Sequence, residues 1–260
     1  MYHAVAHAPA RAARRLSVSP DAFAEQLELL GDRGFTPLTA GQLAGAWRDG
    51  SPLPPRPVLI TFDDGYEGVH RHALPLLARH GFAATLFAST GWLRGPYEDG
   101  HRGDGPPDLM LDWDQVRELA AAGVEIGGHS HTHPQLDQLT DERLRFEVER
   151  CREVLALELD GPPVSFAYPY GYSSRRVRRA VREAGFGVSL AVGNALAARR
   201  QGPYALERVT VRRSTGIGEF ERLVEGRALR RGFAVDHALT KGYAVVRRTR
   251  GAARRCFPGG

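Results

Sequence analysis

The 260-residue sequence predicts an α/β fold in which a parallel sheet, closed or nearly closed into a barrel, is surrounded by helices. Segments typical of strands and of helices alternate along the chain, and the strands are spaced roughly 30 to 40 residues apart. Residues 58–62 (VLITF) form an almost continuous apolar run, as expected for a central strand that is buried between helices. The sequence shows no internal repeat.

The predicted elements follow one another in a regular order. The segments predicted as strands are residues 2–5, 58–62, 83–88, 124–127, 164–167, a short stretch near Val188, and 205–211. The predicted helices are one that begins at Pro20 after the N-cap Ser19, and residues 39–47, 69–80, 114–122, 140–159, 174–184 and 217–224. This alternation of about seven strands with helices is the basis of the fold prediction.

The distribution of charge argues against nucleic acid as a partner. The whole chain has a net charge of +5, but residues 227–260 hold nine Lys or Arg against one acidic residue. The rest of the chain is therefore mildly acidic, without the basic face of a nucleic-acid-binding domain. We interpret residues 227–260 as a basic tail that is solvated or touches an anionic surface.

Composition also limits the cellular context. No run of about 18 apolar residues is present, so no transmembrane helix is expected. The first residues show no charged segment followed by an apolar one, which favours a cytoplasmic protein, or an extracytoplasmic one if a leader has been lost. Cys151 and Cys256 have neither disulfide nor metal-site spacing. Oligomeric state is left open by the sequence.

Two adjacent carboxylates, Asp63 and Asp64, end the apolar run at 58–62 and precede Gly65. Glycine permits a sharp turn of the backbone. Catalytic groups of α/β proteins collect at the carboxyl ends of parallel strands. An isolated Asp-Asp-Gly is more often an acidic turn, so this motif alone decides nothing.

A histidine cluster follows the strand predicted at 124–127. His129 and His133 are four residues apart and can face the same way, whereas His131 between them is expected to point elsewhere. Two imidazoles and one aspartate from the neighbouring strand end form a ligand set typical of a catalytic metal site with an open position. The remaining aspartate can then act as a general base.

A third strand end, residues 168–171 (YPYG), places aromatic side chains and a tight turn at the same rim. A backbone N–H at such a turn can stabilise an oxyanion. A turn with packing aromatics is the simpler interpretation of this segment by itself.

Together, residues 61–65 (TFDDG), 129–134 (HSHTHP) and 168–171 resemble the first three motifs of the polysaccharide deacetylases of carbohydrate esterase family 4. The resemblance covers roughly residues 56–225. It implies a NodB-homology fold, a distorted (β/α) barrel of about seven parallel strands. It also implies a catalytic domain at residues 1–226 that removes N-acetyl groups from an amino sugar in a glycan or glycan precursor.

Carried over to this sequence, the resemblance implies that Asp63 is the general base and that Asp64, His129 and His133 bind a divalent metal. Zinc is expected first, with cobalt or nickel as alternatives. The backbone N–H of Tyr170 would help to stabilise the oxyanion. Pro169 of the same turn is also expected to contact the carbohydrate. Trp92 is a further candidate, because aromatic faces suit sugar rings, although burial in the core is an equally good interpretation.

The sequence departs from the family pattern in two places. The third motif usually begins with an arginine that contacts the catalytic aspartate, and that position is Ala167. The late histidine that serves as general acid is missing from residues 206–209. The N-terminal Tyr2-His3 segment resembles a permuted branch that includes deacetylases of poly-N-acetylglucosamine, in which an early strand brings the acid to the site. His3 is the resulting prediction.

Two other functions stay open. The same metal set would serve an amidase acting on a non-polymeric acylated metabolite. Alternatively, Ala167 and the missing late histidine are compatible with a catalytically impaired carbohydrate-binding relative.

Overall fold

The computed structural model describes residues 1–97, 109–227, Leu229 and Phe233. The strands of this part of the chain are β1 (Thr36–Leu38), β2 (Pro57–Leu59), β3 (Thr61–Asp64), β4 (Thr85–Ala88), β5 (Glu125–Gly128), β6 (Ser165–Ala167) and β7 (Val188–Leu190). The α-helices are α1 (Pro20–Asp32), α2 (Ala40–Asp49), α3 (Leu74–His80), α4 (Trp113–Ala121), α5 (Asp141–Glu158), α6 (Arg175–Glu183) and α7 (Ile217–Val224).

The five strands β3 to β7 form one parallel sheet in which sequence neighbours are also neighbours in space. One helix, α3 to α6 in turn, connects each strand to the next. The predicted alternation of strands and helices is therefore confirmed, and it places the carboxyl ends of all five strands at one edge.

Two irregular segments close the gap between β3 and β7. The N–H of Tyr2 donates to the carbonyl of Thr61 at 2.7 Å, and Leu206 bridges to Leu190 of β7. The amine of Met1 and the carbonyl of Val209 lie 2.9 Å apart, which joins the two segments to each other. The distorted barrel of about seven parallel strands is confirmed as five full strands and two bridging segments.

The prediction of one strand over residues 58–62 is wrong. The run divides at Ile60: β2 pairs with β1 in a separate two-stranded sheet, and β3 pairs with β4 in the barrel. Both halves are apolar, so the sequence pattern does not reveal where the hydrogen-bonding partner changes. Strand β3 also extends through Asp63 and Asp64, so the two carboxylates belong to the strand rather than to the turn after it.

Short polar side chains fix where five of the helices begin. At each of these N-caps a side-chain oxygen accepts a hydrogen bond from the backbone N–H three residues later. The capping residues are Ser19, Thr39, Asp112, Thr140 and Ser174. The predicted cap at Ser19, with Pro20 in the first helical position, is confirmed.

The N-terminal end of the barrel is covered by α2. The N–H of Ala40 donates to the hydroxyl of Thr85, and the N–H of Gly41 donates to the carboxylate of Glu125. These contacts satisfy otherwise unpaired amides of the first helical turn. The opposite end of the barrel, at the carboxyl ends of the strands, is thereby left for the polar residues.

No helix of the described residues is long and apolar enough to cross a membrane. The predicted basic tail, residues 227–260, lies almost entirely outside the described part of the chain. Of its described members, Phe233 is buried beside the guanidinium of Arg212.

Candidate active site

The predicted metal ligands converge at the carboxyl edge of the sheet. Asp64 ends β3, His129 follows β5 directly, and His133 lies one turn farther along the same loop. The Nε2 atoms of His129 and His133 are each 3.4 Å from Oδ1 of Asp64. Within the described residues, this is the group of three donors that could hold a metal ion.

These distances suit a small tetrahedral cation. Zinc binds nitrogen and oxygen at about 2.0–2.1 Å, so two ligands at adjacent corners of a tetrahedron lie about 3.4 Å apart. The spacing of Asp64 from each histidine matches that edge. Three protein donors leave a fourth position open, as in catalytic rather than structural zinc sites.

The orientation of His129 is fixed by a hydrogen bond on its other side. Its Nδ1 lies 2.8 Å from the carbonyl oxygen of Ala167. Because a carbonyl only accepts, the proton belongs to Nδ1, and Nε2 keeps a lone pair directed toward Asp64. Carbonyl partners of this kind commonly orient metal-binding histidines.

The charge around Asp64 also favours a cation. Asp64 is buried, yet its neighbours in the site are imidazoles. Burial lowers the pKa of His133 to about 4, so this imidazole is neutral at pH 7. A buried carboxylate beside neutral imidazoles lacks a compensating positive charge, and a bound metal ion would supply it.

Asp63 has a different partner, Arg208. The guanidinium donates to both carboxylate oxygens, at 2.6 and 2.8 Å, and a third bond reaches the hydroxyl of Thr61 at 3.2 Å. Both side chains are almost completely buried. The two adjacent aspartates are therefore held separately, Asp63 by an arginine and Asp64 by two histidines.

Arg208 makes the contact with Asp63 that an arginine at the position of Ala167 usually makes in the family. Ala167 is buried on β6 and has no side chain that could reach Asp63, whereas Arg208 reaches it from the segment that closes the barrel. Arg208 is absent from the site residues that the sequence predicts. The available signal was a single arginine inside the apolar pattern of a strand-like segment.

The ion pair determines the charge state of Asp63. Burial alone would raise the pKa of this carboxyl, but the Arg208 guanidinium outweighs burial and keeps the pKa below its ordinary value. Asp63 is consequently ionised at neutral pH. The pair stabilises the folded protein fully above the pKa that Asp63 has in the unfolded state. This stabilisation is lost as the pH falls through the pKa of Asp63 in the folded state.

Replacing Arg208 by methionine is expected to lower the free energy of unfolding of the metal-free protein at pH 7 by about 3–5 kcal/mol, because Asp63 would remain buried without a partner. Burial would then raise the pKa of Asp63, so the loss should be larger at pH 7 than at pH 4. Urea denaturation at both pH values measures this difference. Arg48→Met, which removes an exposed pair with Asp49, should cost under about 1 kcal/mol. A loss in Arg208→Met that does not depend on pH would contradict this explanation.

His3 lies beside the two aspartates. The ring of Tyr2 packs on Phe23 of α1 and on Phe62, outside the barrel. Because side chains alternate along an extended segment, the next residue, His3, faces the barrel interior. Burial lowers the pKa of His3, whereas the charges of Asp64 and Asp63 raise it. Its Nδ1 is buried and has no hydrogen-bond partner among the described residues. The position fits the predicted general acid, and the role itself stays a prediction.

A row of aromatic rings borders the three ligands. Trp92 lies 4.5 Å and Tyr170 lies 4.8 Å from the ring of His133, and Tyr172 is stacked on Tyr170 at 6.3 Å. Tyr170 is 54% exposed and Trp92 is half-buried. Pro169 is buried in the turn below them, so its predicted contact with a substrate stays untested.

The backbone is strained at this site. Six described residues other than glycine have a positive φ angle, and four of them belong to the three predicted motifs: Asp64, Ser130, His133 and Tyr170. Such conformations cost of order 1–3 kcal/mol each and persist only where surrounding contacts impose them. The strain marks the loops whose geometry the site requires.

His131 points away from the ligands, as predicted. Its Nδ1 lies 2.9 Å from the hydroxyl of Thr90, and its ring contacts Phe146. Cys151 is buried on α5, without a bond to another cysteine. Neither residue is part of the metal-binding group.

Comparison with known proteins agrees with the fold and the motifs. Residues 50–189 match the family profile described as polysaccharide deacetylase. The Bacillus subtilis protein YxkH is 26% identical over 211 residues, which cover 81% of this chain and 70% of YxkH. The poly-β-1,6-N-acetyl-D-glucosamine N-deacetylase of Escherichia coli is 25% identical in an alignment 242 residues long. The alignment covers 81% of this chain but only 36% of that enzyme.

The same fold occurs in a solved structure. The deacetylase PplD of Streptococcus pyogenes, determined in complex with acetate, superimposes with a TM-score of 0.75 and 22% identity. The match covers 86% of this chain and 96% of PplD. The predicted resemblance, based on three short motifs, is confirmed.

Proposed function

Because this chain belongs to the polysaccharide deacetylase family, hydrolases that remove N-acetyl groups from carbohydrates, we propose that it deacetylates an amino sugar within a glycan or glycan precursor and releases acetate. The observation behind this proposal is the division of labour between two adjacent carboxylates. Asp64 lies with His129 and His133, whereas Asp63 is held apart by Arg208. Such a site combines a metal position with a base that is free of the metal.

Asp64, His129 and His133 are the residues that would hold the metal, and zinc suits this ligand set best, with cobalt or nickel as alternatives. A divalent cation in this position would supply Lewis-acid stabilisation to the reacting amide carbonyl and would favour deprotonation of the attacking water. The chain supplies the remaining chemistry.

Asp63 accepts the proton of the water molecule as its oxygen bonds to the acetyl carbon. Arg208 keeps the carboxylate ionised and fixes both of its oxygens, so that its orientation does not change during the reaction. The backbone N–H of Tyr170 donates to the oxyanion. His3 gives a proton to the nitrogen as the C–N bond breaks, which yields acetate and a free amine. Burial lowers the pKa of His3, so its protonated form is a stronger acid toward that nitrogen but is less populated at neutral pH.

The rim favours a saccharide over a small acylated metabolite. Trp92 and Tyr170 each contact the ring of His133, Tyr172 is stacked on Tyr170, and Tyr170 is largely exposed. Flat aromatic surfaces suit the apolar faces of sugar rings. Because His133 contacts both Trp92 and Tyr170, and Tyr172 is stacked on Tyr170, we expect more than one sugar unit to meet an aromatic ring.

An acetate-release screen tests the proposal directly. Metal-free protein would be reconstituted with zinc, cobalt or nickel and incubated with free, oligomeric and polymeric N-acetylhexosamines. We expect release from oligomers or polymers and at least about 10-fold less from the free sugar, since only the longer substrates span the aromatic row. A chelator should abolish the activity, and added metal should restore it.

The other functions predict different results. An amidase for small metabolites would release acetate from non-polymeric N-acetyl compounds and not from the glycans. A carbohydrate-binding relative would bind the oligosaccharides without releasing acetate under any metal. Either result would overturn the proposal.

A further inference from the structure

A third buried carboxylate, Glu147 of α5, has no part in the chemistry proposed above. Its side chain is completely buried, although α5 has exposed residues both before and after it. Burial of a carboxylate is costly unless the charge is paired and hydrogen-bonded. Its partners therefore indicate why it is there.

Nearly all of those partners belong to the loop that carries the two histidine ligands. One oxygen, Oε2, accepts hydrogen bonds from the N–H groups of His131 at 3.1 Å and Thr132 at 2.8 Å. The other, Oε1, accepts from the hydroxyl of Thr132 at 2.7 Å and lies 3.0 Å from the guanidinium of Arg143. The backbone carbonyl of Glu147 also lies 3.0 Å from the N–H of His131.

These bonds, together with one from the N–H of His133 to the hydroxyl of Ser130 at 3.0 Å, hold a strained backbone. Ser130 and His133, which flank the two bonded amides, have φ angles of 66° and 58°. Both residues carry a Cβ atom, so this left-handed conformation is unfavourable for them. Relaxation of either residue would rotate the loop and move Nε2 of His133 away from Asp64.

We propose that Glu147 is a positioning residue for the metal centre. It does not contact the metal position; it fixes the loop conformation in which His133 reaches the same point as His129 and Asp64. This inference rests on the proposed function, because it assumes that the three donors bind a metal ion.

The test compares Glu147→Ala and Glu147→Gln with Val154→Ala, a control on the same helix. Val154 is also completely buried but packs in the main core, away from the histidine loop. Zinc affinity of each metal-free protein would be measured by competition with a chromophoric chelator.

Loss of residues that orient ligands commonly weakens metal binding 10- to 100-fold. We expect about 30-fold weaker binding for Glu147→Ala, and binding within about 5-fold of the parent for Glu147→Gln, whose amide oxygen can still accept from both N–H groups.

Val154→Ala should reduce thermal stability yet bind zinc within about 3-fold of the parent protein. Equal zinc affinity in Glu147→Ala and Val154→Ala would overturn the proposal and leave Glu147 with a purely structural role. If Glu147→Ala does not fold, Glu147→Met takes its place, because it keeps most of the side-chain volume without the oxygens that accept from His131 and Thr132. Zinc binding at least about 10-fold weaker in Glu147→Met than in Glu147→Gln would support the proposal, and equal binding in the two variants would overturn it.

Hydrogen–deuterium exchange of residues 129–134 in the metal-free proteins provides a readout that does not need metal. We expect exchange at this loop to be at least about 10-fold faster in Glu147→Ala than in the parent, and unchanged in Val154→Ala. If the parent protein binds no zinc, cobalt or nickel, the proposed function fails, whereas the exchange experiment still decides whether Glu147 fixes the loop. Unchanged exchange in Glu147→Ala would refute that.

Discussion

Replacing Asp63 by asparagine is expected to lower kcat for acetate release by about 10²- to 10⁴-fold, the usual contribution of a general base, while the protein keeps its metal. An amide cannot take up the proton that the attacking water gives away. Asp64, His129 and His133 are unchanged in this variant, so metal content should stay near that of the parent. Steady-state acetate release and elemental metal analysis of the same samples measure the two effects.

The asparagine variant also disturbs the pair with Arg208, and this effect must be separated from loss of the base. The introduced amide would offer one acceptor and would place its own hydrogens against the guanidinium, leaving a buried charge unpaired. In the double variant Asp63→Asn, Arg208→Gln, two neutral amides can bond to each other. We expect it to recover thermal stability but not activity. Recovery of activity in the double variant would mean that Asp63 acts only as a structural partner of Arg208.

His3→Ala, like Asp63→Asn, should keep its metal, but it should lack the general acid instead of the general base. Loss of the acid should lower kcat by about 10²-fold or more for an N-acetyl sugar, whose amine is a poor leaving group. An acetate ester whose leaving group needs no proton should be much less affected, because its C–O bond breaks without help from an acid. Loss of metal from both Asp63→Asn and His3→Ala would refute the assignment of these residues as base and acid.

Much of the site could be predicted because its parts are local in sequence. Asp63 and Asp64 follow an apolar run, His129 and His133 follow another strand, and parallel strands bring such ends to one edge. The alternation of strands and helices was sufficient to predict this common edge. The distances among the ligands then depend on loop conformations, which the residue pattern does not specify.

Arg208 could not be predicted because its contact joins residues 145 positions apart. The segment around Arg208 is held by a bridge to β7 and by hydrogen bonds to the N-terminal residues, so its position depends on how the barrel closes. The division of residues 58–62 into β2 and β3 escaped prediction for the same reason. In both cases the pairing partner, rather than the local composition, determines the structure.

Glu147 shows a different limit. Along α5 the buried positions include Leu144, Val148 and Cys151, and Glu147 lies on the same face between them. A glutamate at a core position of an amphipathic helix is a signal in itself. Its meaning became clear only when the histidine loop, 15 to 16 residues earlier, was found bonded to its carboxylate.

Replacing His129 by alanine is expected to remove the metal, in contrast to Asp63→Asn. Only Asp64 and His133 would remain as donors, and His129 is the ligand whose orientation is fixed most directly, through the carbonyl of Ala167. We expect zinc affinity to fall by at least about 100-fold, with acetate release below detection even when the assay contains added zinc.

Thermal unfolding with and without zinc measures this loss independently of activity. A ligand at 1,000 times its Kd stabilises the folded state by about 4.1 kcal/mol, so zinc should raise the melting temperature of the parent protein by several degrees. His129→Ala should show no such increase at the same concentration. His131→Ala is the matched control, because His131 lies in the same loop, is similarly buried and bonds to Thr90 instead. Stabilisation by zinc that persists in His129→Ala and disappears in His131→Ala would reverse the assignment of the two histidines and place the metal on the other side of the loop.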